Sequence, residues 1–71
     1  MLLITLDLPD DVLAALGSTP EQAEREVRFT LAAKLYELGR LSSGIAARLA
    51  GMDRAAFLLA LPRVGVKTKE T

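Results

Sequence analysis

The sequence lacks both cysteine and histidine. Without thiols, neither a disulfide nor a thiolate metal site can stabilise this chain of 71 residues. Without imidazole, it also lacks the side chain that most often performs general acid–base catalysis at neutral pH. We therefore expect neither a cofactor nor a metal ion.

The other side chains that could carry out chemistry have structural explanations. Asp10 and Asp11 stand at the start of a predicted helix, where exposed N–H groups favour carboxylates. Ser42 and Ser43 have no base partner nearby in the sequence, and either one can cap a helix. The glycines do not have the spacing of a phosphate-binding loop. The sequence therefore predicts a protein that is not an enzyme.

Long apolar runs are also missing. No stretch approaches the roughly 18–20 apolar residues that a membrane span requires. The apolar N-terminal residues are not preceded by the basic residues that begin a signal peptide. We expect a cytoplasmic protein without membrane contact.

Apolar residues nevertheless make up 51% of the chain. A domain this small buries only about 60% of the surface that its unfolded chain exposes, so it cannot hide this many apolar side chains alone. The usual partner is a second copy of the same chain, and we therefore expect a homodimer.

The net charge of zero conceals an asymmetry. Residues 1–26 carry six acidic and one basic side chain, whereas residues 27–71 carry eight basic and three acidic ones. The two parts thus have net charges of −5 and +5. A polyanion such as DNA would bind the second part.

Apolar residues at every second position in 2–8 predict a short N-terminal β-strand that ends at Pro9. A strand needs a neighbour to pair its backbone. The candidates are the same strand of a second copy, which would place Leu2, Ile4 and Leu6 in the interface, and a short C-terminal strand at 63–67.

Helices account for most of the remaining pattern, so the predicted fold class is mainly α in a single domain, 1–71. A short helix at 10–16 stops at Gly17, and Thr19 caps a central helix at 20–38 that ends before Gly39. The central helix has two apolar stripes, which predict that it packs against its own short helices and against the partner chain.

The segment 42–61 predicts a helix-turn-helix. Ala46 and Ala47 allow two helices to cross closely, Gly51 provides the turn, and Phe57 holds the second helix in place. Asp53 caps that second helix, and Pro62 ends it. The tail, 62–71, finishes with four residues that we expect to be frayed.

The segment from Glu37 to Leu58, ELGRLSSGIAARLAGMDRAAFL, with Arg63-Val-Gly-Val66 beyond it, resembles uncharacterised protein family 0175. These are small bacterial and archaeal proteins regarded as antitoxin-like. The resemblance implies a helix-turn-helix protein that regulates its own promoter and holds a toxin, often a nuclease of the PIN-domain kind. Family members commonly continue into an acidic tail that suits toxin binding. This chain departs from that pattern, because Lys67 and Lys69 stand among its last five residues.

In a helix-turn-helix, the outward side of the second helix reads bases in the major groove. That side is predicted to carry Arg54, Ala55, Leu58 and Leu59, of which Arg54 alone can bind guanine in a bidentate manner. Five basic side chains around the motif are candidate DNA contacts: Arg40, Arg48, Arg54, Arg63 and Lys67. We expect DNA binding that is led by phosphate contacts and weakly selective for sequence.

Two alternatives to this DNA-binding interpretation remain open. Leu58 and Leu59 form an apolar patch that would suit a protein interface, which makes the chain an interaction or dimerisation module. A ribbon-helix-helix protein would instead present Leu3, Thr5 and Asp7 to DNA, and an aspartate facing phosphates is unfavourable.

Overall fold

A computed structural model describes residues 1–17 and 19–69 of the chain. Four α-helices follow one another in these residues: α1 (Asp10–Leu16), α2 (Pro20–Glu37), α3 (Ser43–Ala50) and α4 (Arg54–Ala60). A single 3₁₀ turn, Leu61–Val64, continues directly from α4. α2 is the centre of the fold, because α1, α3 and the 3₁₀ turn all pack against it.

The predicted fold class, mainly α with a short N-terminal strand, is wrong in its strand. Residues 1–9 form neither helix nor strand, and the described part of the chain contains no strand. The physical reason is that the segment has nothing to pair with, and an unpaired strand leaves its backbone groups unsatisfied. The structure holds one chain, so the homodimer stays a prediction.

The second predicted strand, 63–67, is also wrong. Its first residues belong to the 3₁₀ turn, which ends at Gly65 with a φ of 72°. Val66 follows and is buried in the core. This run therefore supplies a turn and one core side chain, and it cannot act as the neighbour of the N-terminal segment.

α2 begins and ends at local signals that the sequence carries. The Thr19 hydroxyl accepts a hydrogen bond from the Gln22 N–H at 3.2 Å, and Pro20 occupies the first helical position, where its missing N–H costs nothing. The helix ends at Glu37, one residue before the predicted end. Gly39 then turns the chain with a φ of 79°.

Gly17 ends α1 through close packing. Its φ of 171° is extended backbone that any residue can adopt. A Cβ atom at this position, however, would lie only 2.8 Å from the Cβ of Gln22. The glycine therefore allows the end of α1 to approach the first turn of α2. α1 itself has no buried residue.

α3 and α4 follow one another across a short turn, and a side chain caps each of them. Ser42 caps α3 by accepting a hydrogen bond from the Ile45 N–H at 3.3 Å. Asp53 caps α4 in the same way, with the Ala56 N–H at 2.8 Å. Between the two helices, Gly51 has a φ of 73°, which favours glycine because other side chains clash with the backbone there.

Three aromatic rings form the centre of the core. Phe57 of α4 is fully buried, and it meets Phe29 and Tyr36 of α2 edge-to-face at centroid distances of 5.8 and 5.9 Å. Small side chains allow the helices to approach around these rings. The buried residues that complete the cluster are Ala32, Ala33, Ala46, Ala47, Leu61 and Val66.

The C-terminal segment is held against α2. The Lys69 N–H donates to the Tyr36 hydroxyl oxygen at 2.7 Å, and the Lys69 Nζ donates to the Glu37 carbonyl oxygen. The Tyr36 and Thr68 hydroxyls lie 3.4 Å apart. The expected fraying is therefore wrong for Thr68 and Lys69, whereas the last two residues lie outside the described part of the chain.

Candidate nucleic-acid interface

The turn between α3 and α4 fixes which side of α4 faces outward. Phe57 points into the core, and Leu58 is half-buried and packs against the same cluster. Arg54, Ala55 and Leu59 are exposed. The outward surface of α4 is therefore narrow, with the Arg54 guanidinium at its first position and the exposed Leu59 five residues later.

Arg54 also links the two helices of the motif. Its Nε donates a hydrogen bond to the Ser43 hydroxyl at 2.8 Å, and Ser43 is buried in the first turn of α3. This contact satisfies a buried hydroxyl that would otherwise cost free energy. The pair of serines at 42–43 suggested only a cap, so sequence reasoning missed the second role.

Arg63 lies beside the turn of the motif. Its guanidinium carbon is 5.8 Å from the centroid of the Phe29 ring, a distance typical of a cation–π contact. Arg63 also borders a groove of about 440 Å³ that reaches Gly51, Met52 and the end of α1. The aromatic ring positions this charge, and the side chain remains exposed.

Lys67 lies near the other end of α4. It lines a shallow surface depression together with Leu58 and Pro62, and its side chain is exposed. Basic side chains thus flank α4 at its start and beyond its end.

Arg40 and Arg48 extend the basic surface onto α3. Arg40 is exposed in the loop before α3, where its backbone N–H donates to the Leu35 carbonyl oxygen at 2.8 Å. Arg48 is exposed in the last turn of α3. Lys34 and Glu37 form an ion pair at 2.9 Å, and among residues 1–17 and 19–69 no carboxylate pairs with Arg40, Arg48, Arg63 or Lys67.

Tyr36 is buried where α2 meets the C-terminal segment. Burial raises the pKa of its hydroxyl, but hydrogen bonds with Thr68 and Lys69 and the positive charges of Lys69 and Arg54 outweigh that effect. The pKa of Tyr36 is therefore below its ordinary value of 10.0. The Lys69 Nζ lies 5.9 Å from the centroid of the Tyr36 ring.

The apolar residues predicted to form an interface have different environments. Leu2, Ile4 and Leu6 are exposed, and they lie in an N-terminal segment, 1–9, that forms neither helix nor strand. Leu59 is 83% exposed, whereas Leu58 is half-buried against the core of its own chain. Leu59 is therefore available to a partner in a way that Leu58 is not.

Two further observations concern other kinds of site. In residues 1–17 and 19–69, no three acidic side chains come together in a way that could hold a metal ion. None of the helices in that same part of the chain combines the length and the apolar character needed to cross a membrane.

Comparisons with known proteins agree on one family. The model of the uncharacterised protein family UPF0175 matches residues 1–71. A UPF0175 protein of Aeropyrum pernix is 35% identical over 63 residues, which cover 89% of this chain and 66% of that protein. No solved structure matches the chain. The resemblance of the segment from Glu37 to Leu58 is thus confirmed, and the chain belongs to the UPF0175 family.

Proposed function

We propose that this chain is a DNA-binding helix-turn-helix protein of antitoxin type. The observation that carries the proposal is the surface around α3 and α4, where four exposed basic side chains lack a carboxylate partner in the described residues: Arg40, Arg48, Arg63 and Lys67. Six of the nine acidic side chains lie in the first 26 residues, whereas Asp53 stands next to Arg54 at the start of α4.

α4 suits shallow insertion into the major groove. Its seven residues give a helix of about 10 Å, and Arg54 stands at its N-terminal end, where recognition helices commonly contact bases. To bind guanine, however, the Arg54 side chain has to leave the buried Ser43 hydroxyl. Base reading therefore exchanges one hydrogen bond for another, and sequence selectivity is weak.

Phosphate contacts supply most of the affinity in this proposal. Arg40, Arg48, Arg63 and Lys67 are exposed around the motif. Each phosphate contact releases counterions, so binding weakens as salt increases, with a slope of about 0.9 per contact in log–log form.

The antitoxin role extends the proposal from DNA to a protein partner. The resemblance to the family implies a chain that represses its own promoter and holds a nuclease-type toxin. The exposed apolar side chains, Leu59 among them, offer a surface that a protein could cover. A chain carrying both surfaces can couple toxin capture to repression.

Fluorescence anisotropy on labelled duplexes tests DNA binding. The probes are the DNA upstream of the protein's own reading frame and a scrambled duplex of equal length, each at 50 and 200 mM salt. We expect affinity to fall by about a hundredfold or more over this range if four phosphate contacts form. Arg48→Gln combined with Arg63→Gln should reduce the salt slope by about 2.

Arg28→Gln serves as the matched control. Arg28 is an exposed arginine on α2, outside the helix-turn-helix, so its loss should change the slope by much less than one unit. Equal affinity at both salt concentrations, or equal effects of Arg28 and the paired arginines, would contradict the proposed surface.

The alternative function is a protein-interaction module, and the high exposure of Leu59 favours it. Leu59→Ser separates the two functions, since Leu58 contributes to the core and cannot be replaced cleanly. Loss of binding to a co-expressed toxin with unchanged DNA affinity supports the interaction module. Altered DNA affinity supports α4 as the DNA-reading helix.

A further inference from the structure

The central helix presents a second apolar face that its own chain does not cover. Phe29, Ala32, Ala33 and Tyr36 face the core. The helical repeat of 3.6 residues places Leu31, Leu35 and Leu38 on the opposite side. Leu31 is 48% exposed and Leu38 is 60% exposed, and Leu35 is half-buried. We call these three residues the α2 outer stripe.

The N-terminal arm, residues 1–6, is a second uncovered apolar segment. Its large apolar side chains are all more than 60% exposed: Met1, Leu2, Leu3, Ile4 and Leu6. The core of the chain cannot take them in, because the inner face of α2 is already filled by α3, α4 and Val66. No side chain among residues 1–17 and 19–69 covers the arm.

The area of the two segments decides what kind of partner fits. Burying one such aliphatic side chain removes about 60–120 Å² from water. The α2 outer stripe alone therefore offers about 200–300 Å², far below the roughly 800 Å² per partner of a stable interface. Together with the arm, the total approaches about 800 Å², so both segments are needed.

The charges of the stripe favour a second copy. A twofold interface brings the same surface of each protomer together, so any net charge would repel itself. Within 31–38 the charged residues are Lys34 and Glu37, and they pair with each other at 2.9 Å. The stripe is thus electrically balanced and can face its own copy without repulsion.

We propose that a second copy of this chain covers the α2 outer stripe, and that the N-terminal arms of the two protomers complete the interface. The outer stripe is the centre of this contact, and the arms add area around it. The interface leaves α4 and Leu59 outside. It does not depend on DNA binding, because it uses neither the basic side chains nor the outward surface of α4.

Sedimentation velocity over a range of concentrations tests the interface on the full chain. Leu31→Glu combined with Leu38→Glu should weaken self-association by about a hundredfold or more, because it places charges in the centre of the contact. Helicity measured by circular dichroism should stay unchanged, since both side chains are exposed. Leu3→Ser combined with Ile4→Ser should weaken it by about tenfold or more, and this variant leaves the helices untouched.

Leu59→Ser is the matched control, because Leu59 is an exposed leucine outside the proposed contact. A dimer that survives Leu59→Ser and is lost in the stripe variant supports the proposal. A wild-type chain that stays monomeric at 100 μM, or a dimer that only Leu59→Ser disrupts, would overturn it. A dimer that the arm variant alone disrupts would also overturn the central role of the stripe.

Discussion

The first 16 residues and the segment 29–66 are both rich in apolar side chains, yet only the second forms a core. α1 has no buried residue, and residues 1–6 are exposed throughout. Between Phe29 and Val66, by contrast, nine buried residues form one cluster. The difference lies in the partners: α2, α3 and α4 supply surfaces for one another, whereas the start of the chain finds little within this protomer.

The largest expected loss of stability comes from removing the Phe57 side chain, which packs against two aromatic rings of α2. Phe57→Ala should destabilise the fold by about 3–5 kcal/mol, because it empties a fully buried site between Phe29 and Tyr36. A small domain has little stability to lose, so we expect extensive unfolding at room temperature. Urea denaturation followed by circular dichroism measures the change.

Ile4→Ala is the counterpart in the N-terminal arm, measured at a concentration where the chain is monomeric. It should change the free energy of unfolding by less than about 0.5 kcal/mol, since the side chain contacts little. If the two substitutions had similar effects in the monomer, the contrast between the two regions would not hold.

A smaller loss of stability is expected at Gly17, which lies between the two regions. Gly17→Ala should destabilise the chain by about 1–3 kcal/mol, because the new Cβ would come within 2.8 Å of Gln22 and force α1 away from α2. Thermal denaturation checks the sign and size. Loss of the helical signal of α1 with an unchanged main thermal transition would show that α1 unfolds separately from the other helices.

Gly44→Ala provides the control for that substitution. Gly44 lies inside α3, and a Cβ there meets no atom within 4 Å. Alanine should therefore stabilise the chain by about 0.5–1 kcal/mol through its higher helix propensity. Destabilisation at both glycines would mean that steric contact is not what distinguishes them.

The smallest expected effect concerns Tyr36, where the core meets the C-terminal segment. It is the single tyrosine of a chain without tryptophan, so its ionisation can be followed directly by ultraviolet absorbance. We expect a pKa below 10.0 because of the Thr68 and Lys69 hydrogen bonds and the nearby positive charges. Lys69→Gln should move the pKa upward, and Lys67→Gln should leave it nearly unchanged.

The same shift has a consequence for stability. Since the folded-state pKa of Tyr36 is lowered, its ionised form favours folding. This contribution is fully present above the unfolded pKa, near 10, and is lost as the pH falls through the folded pKa. If the absorbance titration of the folded chain had its midpoint at or above the pKa of free tyrosine, it would contradict the contacts seen around the Tyr36 hydroxyl.

Local signals predicted the helices well. The Thr19 and Asp53 caps and the Gly51 turn depend on neighbours within three residues, so the sequence carries them directly. The strand prediction failed because pairing requires a distant or external neighbour. The alternation of apolar residues in the arm predicted one buried face, whereas residues 1–6 are exposed throughout in this protomer.

Contacts between distant residues were beyond sequence reasoning. Arg54 looked like a free base-reading side chain, yet it donates to Ser43, eleven residues earlier. Lys69 looked frayed, yet it binds Tyr36, 33 residues earlier. Both contacts depend on how α2, α3 and α4 pack, and no periodicity in the sequence records that arrangement.

The turn at Gly51 has a consequence for the handedness of the backbone. A side chain there would find nothing within 4 Å, so the constraint on this position comes from its φ of 73° alone. This angle is the mirror image of the ordinary helical one, and D-amino acids prefer it. A synthetic chain with D-alanine at position 51 would keep the corner between α3 and α4 and have fewer unfolded conformations, whereas L-alanine would strain it.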